Sequence, residues 1–267
     1  MPRLMDRLLL IASTCCFLLA VVRTFLLIRA RTFRRGRSNF FAIVAGFVLQ
    51  TAFLAVRGQA VGRCPLTNLF EVFIFMAWSV ALIYMVVGPT YRLSLMGAFT
   101  APLVLLIQTF ALLSPFDRPR PPKMDVNPWL EFHASMSIVA YGAFALACIA
   151  GLMYLLQEWQ LKRHRLHSVF QHLPPLTELY AAIVGLLWLG FGLYTAGLVS
   201  GFFTGEPLPR VKMACAIAVW LLYGAILQGR HVFRLAPKHV AALCVLAFSA
   251  AVSVLWGITF VSQRGPV

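Results

Sequence analysis

The stretch WLEFHASMSIVAYGAFALACIAGLMYLL, residues 129–156, carries no Asp, Glu, Lys or Arg after Glu131. A helix needs about 20 mostly apolar residues to cross the hydrocarbon core of a bilayer, and this run exceeds that. Seven further runs qualify on either side of it: 8–28, 40–56, 67–88, 93–114, 178–200, 211–228 and 239–261. The sequence therefore predicts an all-α, polytopic membrane protein with about eight transmembrane helices, a single transmembrane domain over residues 1–267. The first run starts like a signal peptide, with Arg3 and Arg7 ahead of LLLIASTCCFLLAVV, but lacks a small-x-small cleavage site and is read as retained. The second is short, and Arg57 at its end is expected to snorkel toward the headgroups.

Composition agrees. Of 267 residues, 61% are hydrophobic and 12% charged, where a soluble domain has about half and about a quarter. That excludes a cytosolic globular enzyme, a disordered chain and a secreted disulfide scaffold. The net charge is +15, but no basic face alternates with stacking aromatics. Nucleic acid is therefore not an expected partner, and membrane lipid is. The six cysteines include no CxxC and no CxxCH, so neither a dithiol redox centre nor a covalent haem site is present.

Basic residues orient the spans. Loop 29–39 carries Arg29, Arg31, Arg34, Arg35 and Arg37 between the first two runs, which predicts a cytoplasmic loop and both termini in the periplasm of a bacterial inner membrane. The stretch 157–177 reads as a cytoplasmic amphipathic segment, with His164, His167 and His172 among Trp159, Leu161, Leu166, Val169 and Phe170.

Three segments carry residues able to do chemistry. In 129–147, His133, Ser137 and Tyr141 fall at i, i+4 and i+8 and share one helical face. Lipid disfavours such a polar stripe unless a helix or a cofactor covers it. A neutral imidazole can ligate a metal or hydrogen-bond to a neighbouring helix, and spacing alone leaves both open. In CPLTNLFEVFIFMAW, 64–78, Thr67 can cap the following helix, while Asn68 and Glu71 share a face near Trp78. This is either a capped helix with an aromatic belt or a wall of an apolar site. Glu71, Glu131 and Glu178 lie near helix starts, where a carboxylate complements the macrodipole. In the third segment, around 199–230, Lys212 begins a span along which Trp220, Tyr223 and Arg230 read as interfacial anchors. No nucleophile–base pair, metal-ligand cluster or phosphate-binding glycine loop is visible, so an enzyme in the narrow sense is not the expected reading.

PLTNLFEVFIFMAWS (65–79), WLEFHASMSIVAYGAFALA (129–147), LPPLTELYAAIVGLLWLGFGLYTAGLVSG (173–201) and VKMACAIAVWLLYGAILQGR (211–230) together resemble the CcsA/CcmC-type cytochrome c assembly family, in particular its short eight-span, YpjD-like and HemX-like branch. The resemblance implies an accessory membrane protein of cytochrome c maturation. It implies haem b bound at the outer face with His133 as external axial ligand, and other assembly proteins and apocytochrome c as partners. Ser137, Tyr141, Asn68, Glu71, Trp78 and Lys212 are the accompanying candidates for the haem site. The chain also departs from the family pattern. Where a tryptophan-rich WGxxWxWDPKE-type motif is expected it reads GFFTGEPLPRVK, and Gln50 and Gln228 stand at positions expected to hold intramembrane histidines. No histidine follows His239. The alternative is a HemX-like regulatory or scaffold protein of tetrapyrrole or cytochrome assembly that performs no haem chemistry. A transporter is a third reading, disfavoured because no span bears a charge near its midpoint apart from Arg23.

Overall fold

A computed structural model of the chain describes residues 2–29, 37–88, 96–115, 117, 127–163, 175–205 and 210–264. They form eight long helices: α1 (Pro2–Arg29), α2 (Arg37–Val61), α3 (Leu69–Val87), α4 (Met96–Leu113), α5 (Pro128–Lys162), α6 (Leu176–Gly201), α7 (Arg210–Val232) and α8 (Pro237–Arg264). A single 3-10 turn, Phe202–Thr204, follows α6. Each helix contains a stretch long and apolar enough to span a membrane, and no strand occurs among the described residues. The protein is an all-α, multi-pass membrane protein. Residues 164–174, most of the expected amphipathic segment, lie outside the described residues.

Helix starts are set locally. Asn127 caps α5, its side chain accepting from Trp129 N at 3.0 Å, and Pro128 follows where no N–H is needed. α3 is capped by Asn68, not Thr67: Asn68 Oδ1 accepts from Glu71 N at 2.9 Å, while Thr67 gives its backbone N–H and hydroxyl to Glu71 Oε2 at 2.8 and 2.7 Å.

α5 is the most enclosed helix. It packs most extensively on α6 and also on α3 and α8, while α1, α2 and α4 gather beside α3. Small residues allow this close approach. A Cβ at Gly142 of α5 would lie 2.8 Å from the Ser79 backbone of α3. Tyr223 is fully buried and stacks on Phe144, centroids 3.6 Å apart and planes 5° apart. It is thus a core residue joining α7 to α5, not an interfacial anchor.

The expectation for Arg57 fails. α2 runs another turn to Val61, and the Arg57 side chain is 6% exposed. Its Nε donates to Glu71 at 2.9 Å, one terminal nitrogen to Asp6 at 2.9 Å, and the other to Asp117. A guanidinium presents a planar fork of donors, and here three carboxylates from α1, α3 and the segment after α4 occupy it. Arg57 does not snorkel because these partners lie inward. The contact with Asp6 also ties the start of α1 into the bundle.

Candidate functional site

α5 offers two polar faces at its start. On one, Glu131 Oε1 accepts from Cys64 N at 2.7 Å and Ser135 Oγ lies 3.4 Å from Cys64 Sγ, so the α2–α3 connection is pinned to α5. Burial, with the nearby Glu131 and Glu71 carboxylates, pushes the Cys64 thiol above its ordinary value and outweighs the opposing Ser135 hydrogen bond. The second face bears His133 and Ser137 and meets the end of α6.

His133 Nδ1 donates to the Gly197 carbonyl at 2.6 Å. A carbonyl only accepts, so Nδ1 carries the proton and a neutral ring keeps its lone pair on Nε2. This backbone tether is a usual way of orienting a metal-binding imidazole. Gly197 and Gly201, one turn apart on α6, make room for it. A Cβ at Gly201 would sit 3.0 Å from His133 Nδ1, and one at Gly197 would sit 2.7 Å from Ser137 Oγ. Ser137 itself donates to the His133 carbonyl at 2.7 Å, so its hydroxyl needs no cofactor to satisfy it.

His133, Ser137 and Tyr141 line a cavity of about 160 Å³ with Tyr194 and Leu198 of α6, Lys212, Cys215 and Val219 of α7, and Leu255 of α8. The walls are mostly apolar, and the charged group is Lys212, on the first turn of α7. Tyr141 and Tyr194 lie edge to face with centroids 6.0 Å apart. Among the described residues no group of three or more His, Cys, Asp or Glu could hold a metal ion. A lone imidazole is a poor site for a bare ion. It suits a metal that brings its own macrocycle.

Four of the seven sequence candidates therefore meet: His133, Ser137, Tyr141 and Lys212. Three sit elsewhere. Asn68 and Glu71 belong to the cap and ion-pair cluster of α3. Trp78 stacks on Phe47, centroids 5.6 Å apart, and donates to Thr51 at 2.8 Å. Gln50 is fully buried within the α1–α4 half, whereas Gln228 is exposed on α7. Sequence reading missed Gly197, Gly201 and Tyr194. The G-x-x-x-G spacing at 197 and 201 was the available signal for close helix approach.

The model of a family described as "Cytochrome C assembly protein" matches residues 66–264, most of the chain, and takes in α3 to α8 and thus every wall of this cavity. The chain belongs to the cytochrome c assembly protein family. Among family relatives, the cytochrome c biogenesis protein CcsA of Guillardia theta is 26% identical, the match covering 80% of this chain and 79% of the relative. Protein HemX of Brevibacillus brevis is also 26% identical, with 80% and 81% covered. CcsA of Chlamydomonas reinhardtii is 25% identical over 68% of this chain but only 54% of its own length. This cytochrome c assembly family member thus carries His133 on the second turn of its most enclosed helix, lining the cavity.

Proposed function

We propose that this protein assists cytochrome c maturation by holding haem b at the outer face of a bacterial inner membrane, with His133 as axial ligand. The observation that supports the reading is the His133–Gly197 tether, which keeps the Nε2 lone pair available on a ring that lines an apolar cavity. A bound haem supplies an iron with axial positions open to imidazole. The chain's own residues do the rest. α6 fixes the ring, and Tyr141, Tyr194, Leu198 and Val219 offer apolar contact. Lys212 offers a cation for carboxylate side groups at the cavity edge. At about 160 Å³ the cavity is smaller than the roughly 300–1,000 Å³ of enclosing ligand clefts. It would admit part of a porphyrin, with His133, Tyr194 and Lys212 as the residues that would hold it. Such partial, open holding suits a protein that passes its ligand on to apocytochrome c.

The test is titration of the detergent-purified protein with haemin, read by its Soret band. The wild type is expected to give a histidine-ligated spectrum. His133→Ala is expected to lose it and to regain ligation when free imidazole is added. A wild-type protein that takes up no haem, or a Soret band indifferent to His133→Ala, overturns the reading. The tryptophan-free GFFTGEPLPRVK segment favours a second reading, HemX-like regulation or scaffolding without haem. Partner capture that survives His133→Ala in a protein without haem would support it instead.

A further inference from the structure

The α7–α8 turn departs from two local rules at once. α7 ends at Val232, and Phe233 N donates to the Gly229 carbonyl at 3.0 Å. Leu235 folds back so closely that a Cβ on Gly229 would lie 3.0 Å from its Cδ1. This is the left-handed helix stop whose reversing residue is usually glycine. Here that residue is Arg234, at φ 47°, a conformation that a Cβ strains. No other non-glycine residue among those described has a positive φ. Lys238 is the second departure. It places a cation in the first turn of α8, the end of a helix that favours negative charge, and that turn contains no acidic residue.

Helix stability explains neither choice. Glycine at 234 would make the same turn without strain, and a carboxylate at 238 would complement α8. What Arg234 and Lys238 share is positive charge. Arg230, on the last turn of α7, adds a third cation, and the whole of 210–264 contains no Asp or Glu. Among the described residues none of the three forms an ion pair. Arg230 is held in place from α6: its Nε donates to the Tyr180 hydroxyl oxygen at 3.2 Å, and its terminal nitrogens remain as further donors. Beside these cations the chain exposes apolar side chains, Phe233 by 76% and Val232 by 55%. A dissolved anion would answer the charge and leave Phe233 in water. An anionic phospholipid answers both, with its phosphate against the cations and its acyl chains against the ring. Positions where local rules fail together are where function is expected.

We propose that the α7–α8 turn binds an anionic phospholipid, with the phosphate held by Arg230, Arg234 and Lys238 and the acyl chains packed on Val232 and Phe233. The site lies at the end of the bundle opposite the His133 cavity. Lys212 of the first turn of α7 lines that cavity, and the 23 residues of α7 rise about 35 Å before the turn. The site is independent of haem and of His133.

Thermal unfolding of the full chain, delipidated in dodecyl maltoside, reads this binding when phosphatidylglycerol, phosphatidylcholine or inorganic phosphate is added. Phosphatidylglycerol at about a hundred times its Kd is expected to raise Tm by about 5–10 °C, and the other two by less than half as much. Arg234→Gly is expected to unfold at or near the wild-type Tm without lipid, because glycine relieves the left-handed strain, and to lose at least half of the phosphatidylglycerol shift. Arg230→Gln/Lys238→Gln is expected to lose as much. Arg210→Gln, at an exposed arginine on the opposite end of α7, is expected to keep the shift. An equal shift from phosphatidylcholine overturns the proposal, as does one from inorganic phosphate, which would assign the cluster to a dissolved anion. An undiminished shift in Arg234→Gly overturns it too, and so does an equal loss in Arg210→Gln, which would mark a general effect of net charge. Lipid-free Arg234→Gly unfolding well below wild type also overturns it, because Arg234 would then serve the fold alone.

Discussion

Replacing Arg57 by methionine probes the ion-pair cluster directly. Methionine keeps much of the stem volume and removes the guanidinium. Asp6 is left with Arg7 N, the Glu71 carboxylate with the Thr67 N–H and hydroxyl, and Asp117 with Arg7. Those contacts do not replace the cation, and the Glu71 side chain is completely shielded. Removing one partner of a buried ion pair costs about 3–5 kcal/mol because the other charge stays buried and unpaired. That is a large fraction of an ordinary folding free energy of about 5–15 kcal/mol. At roughly 2–4 °C per kcal/mol for a chain of this order of size, the expected fall in Tm is between about 6 and 20 °C. Arg57→Lys is expected to fall in between, because an ammonium is a point charge and cannot occupy three carboxylates in a planar fork. The assay is thermal unfolding in detergent by tryptophan fluorescence or dye accessibility. Pairing Arg57→Met with Glu71→Met is expected to recover part of the loss, since the double change removes the stranded carboxylate with its partner. An exposed, snorkelling arginine would cost within about 0.5 kcal/mol. A Tm shift of that size, with no recovery in the double variant, would refute the cluster.

Three further outcomes are expected. Gly201→Ala should weaken haem binding by about 10–100-fold, the range for disturbing a ligand's supporting hydrogen bond, because its Cβ would crowd His133 Nδ1 at 3.0 Å; Soret titration measures it, while Gly192→Ala, with open space around its Cβ, serves as control. Lys212→Gln should lower affinity for haem but leave affinity for haem dimethyl ester unchanged, and equal losses for both would remove Lys212 from carboxylate pairing. Cys64 should react slowly with a membrane-impermeant maleimide at neutral pH and accelerate as the pH rises through and beyond the ordinary thiol range, because its raised pKa keeps the thiolate scarce; mass spectrometry of the labelled peptide checks this, and an ordinary exposed-thiol rate at neutral pH would contradict it.

The spans were legible because bilayer thickness imposes a minimum apolar length that few residues can disguise. The end of α2 was not. Arg57 looks like a terminus when its partners are unknown, and Asp6 and Asp117 lie 51 and 60 residues away in the chain. Glu71 misled for the same reason: a carboxylate on a first turn has a sufficient local explanation, so nothing in the sequence asks for a distant cation. His133 stood out because an imidazole in an apolar run is costly without a partner. Its partner, the Gly197 carbonyl, is backbone and 64 residues away, and backbone acceptors leave no trace in residue type. The same holds for Tyr223, whose amphipathic side chain fits an interface as well as a core until Phe144 is seen stacked upon it. Asn68 and Trp78 were grouped with His133 through the resemblance, and the helix packing separates them.

A high-resolution structure of the protein loaded with haemin in a lipid nanodisc addresses the central claim. The account expects iron bonded to Nε2 of His133, Nδ1 still on the Gly197 carbonyl, and one porphyrin edge between Tyr194 and Lys212. Haem held elsewhere on the bundle, or a cavity filled by side chains with the His133 ring turned away from the iron, would contradict it.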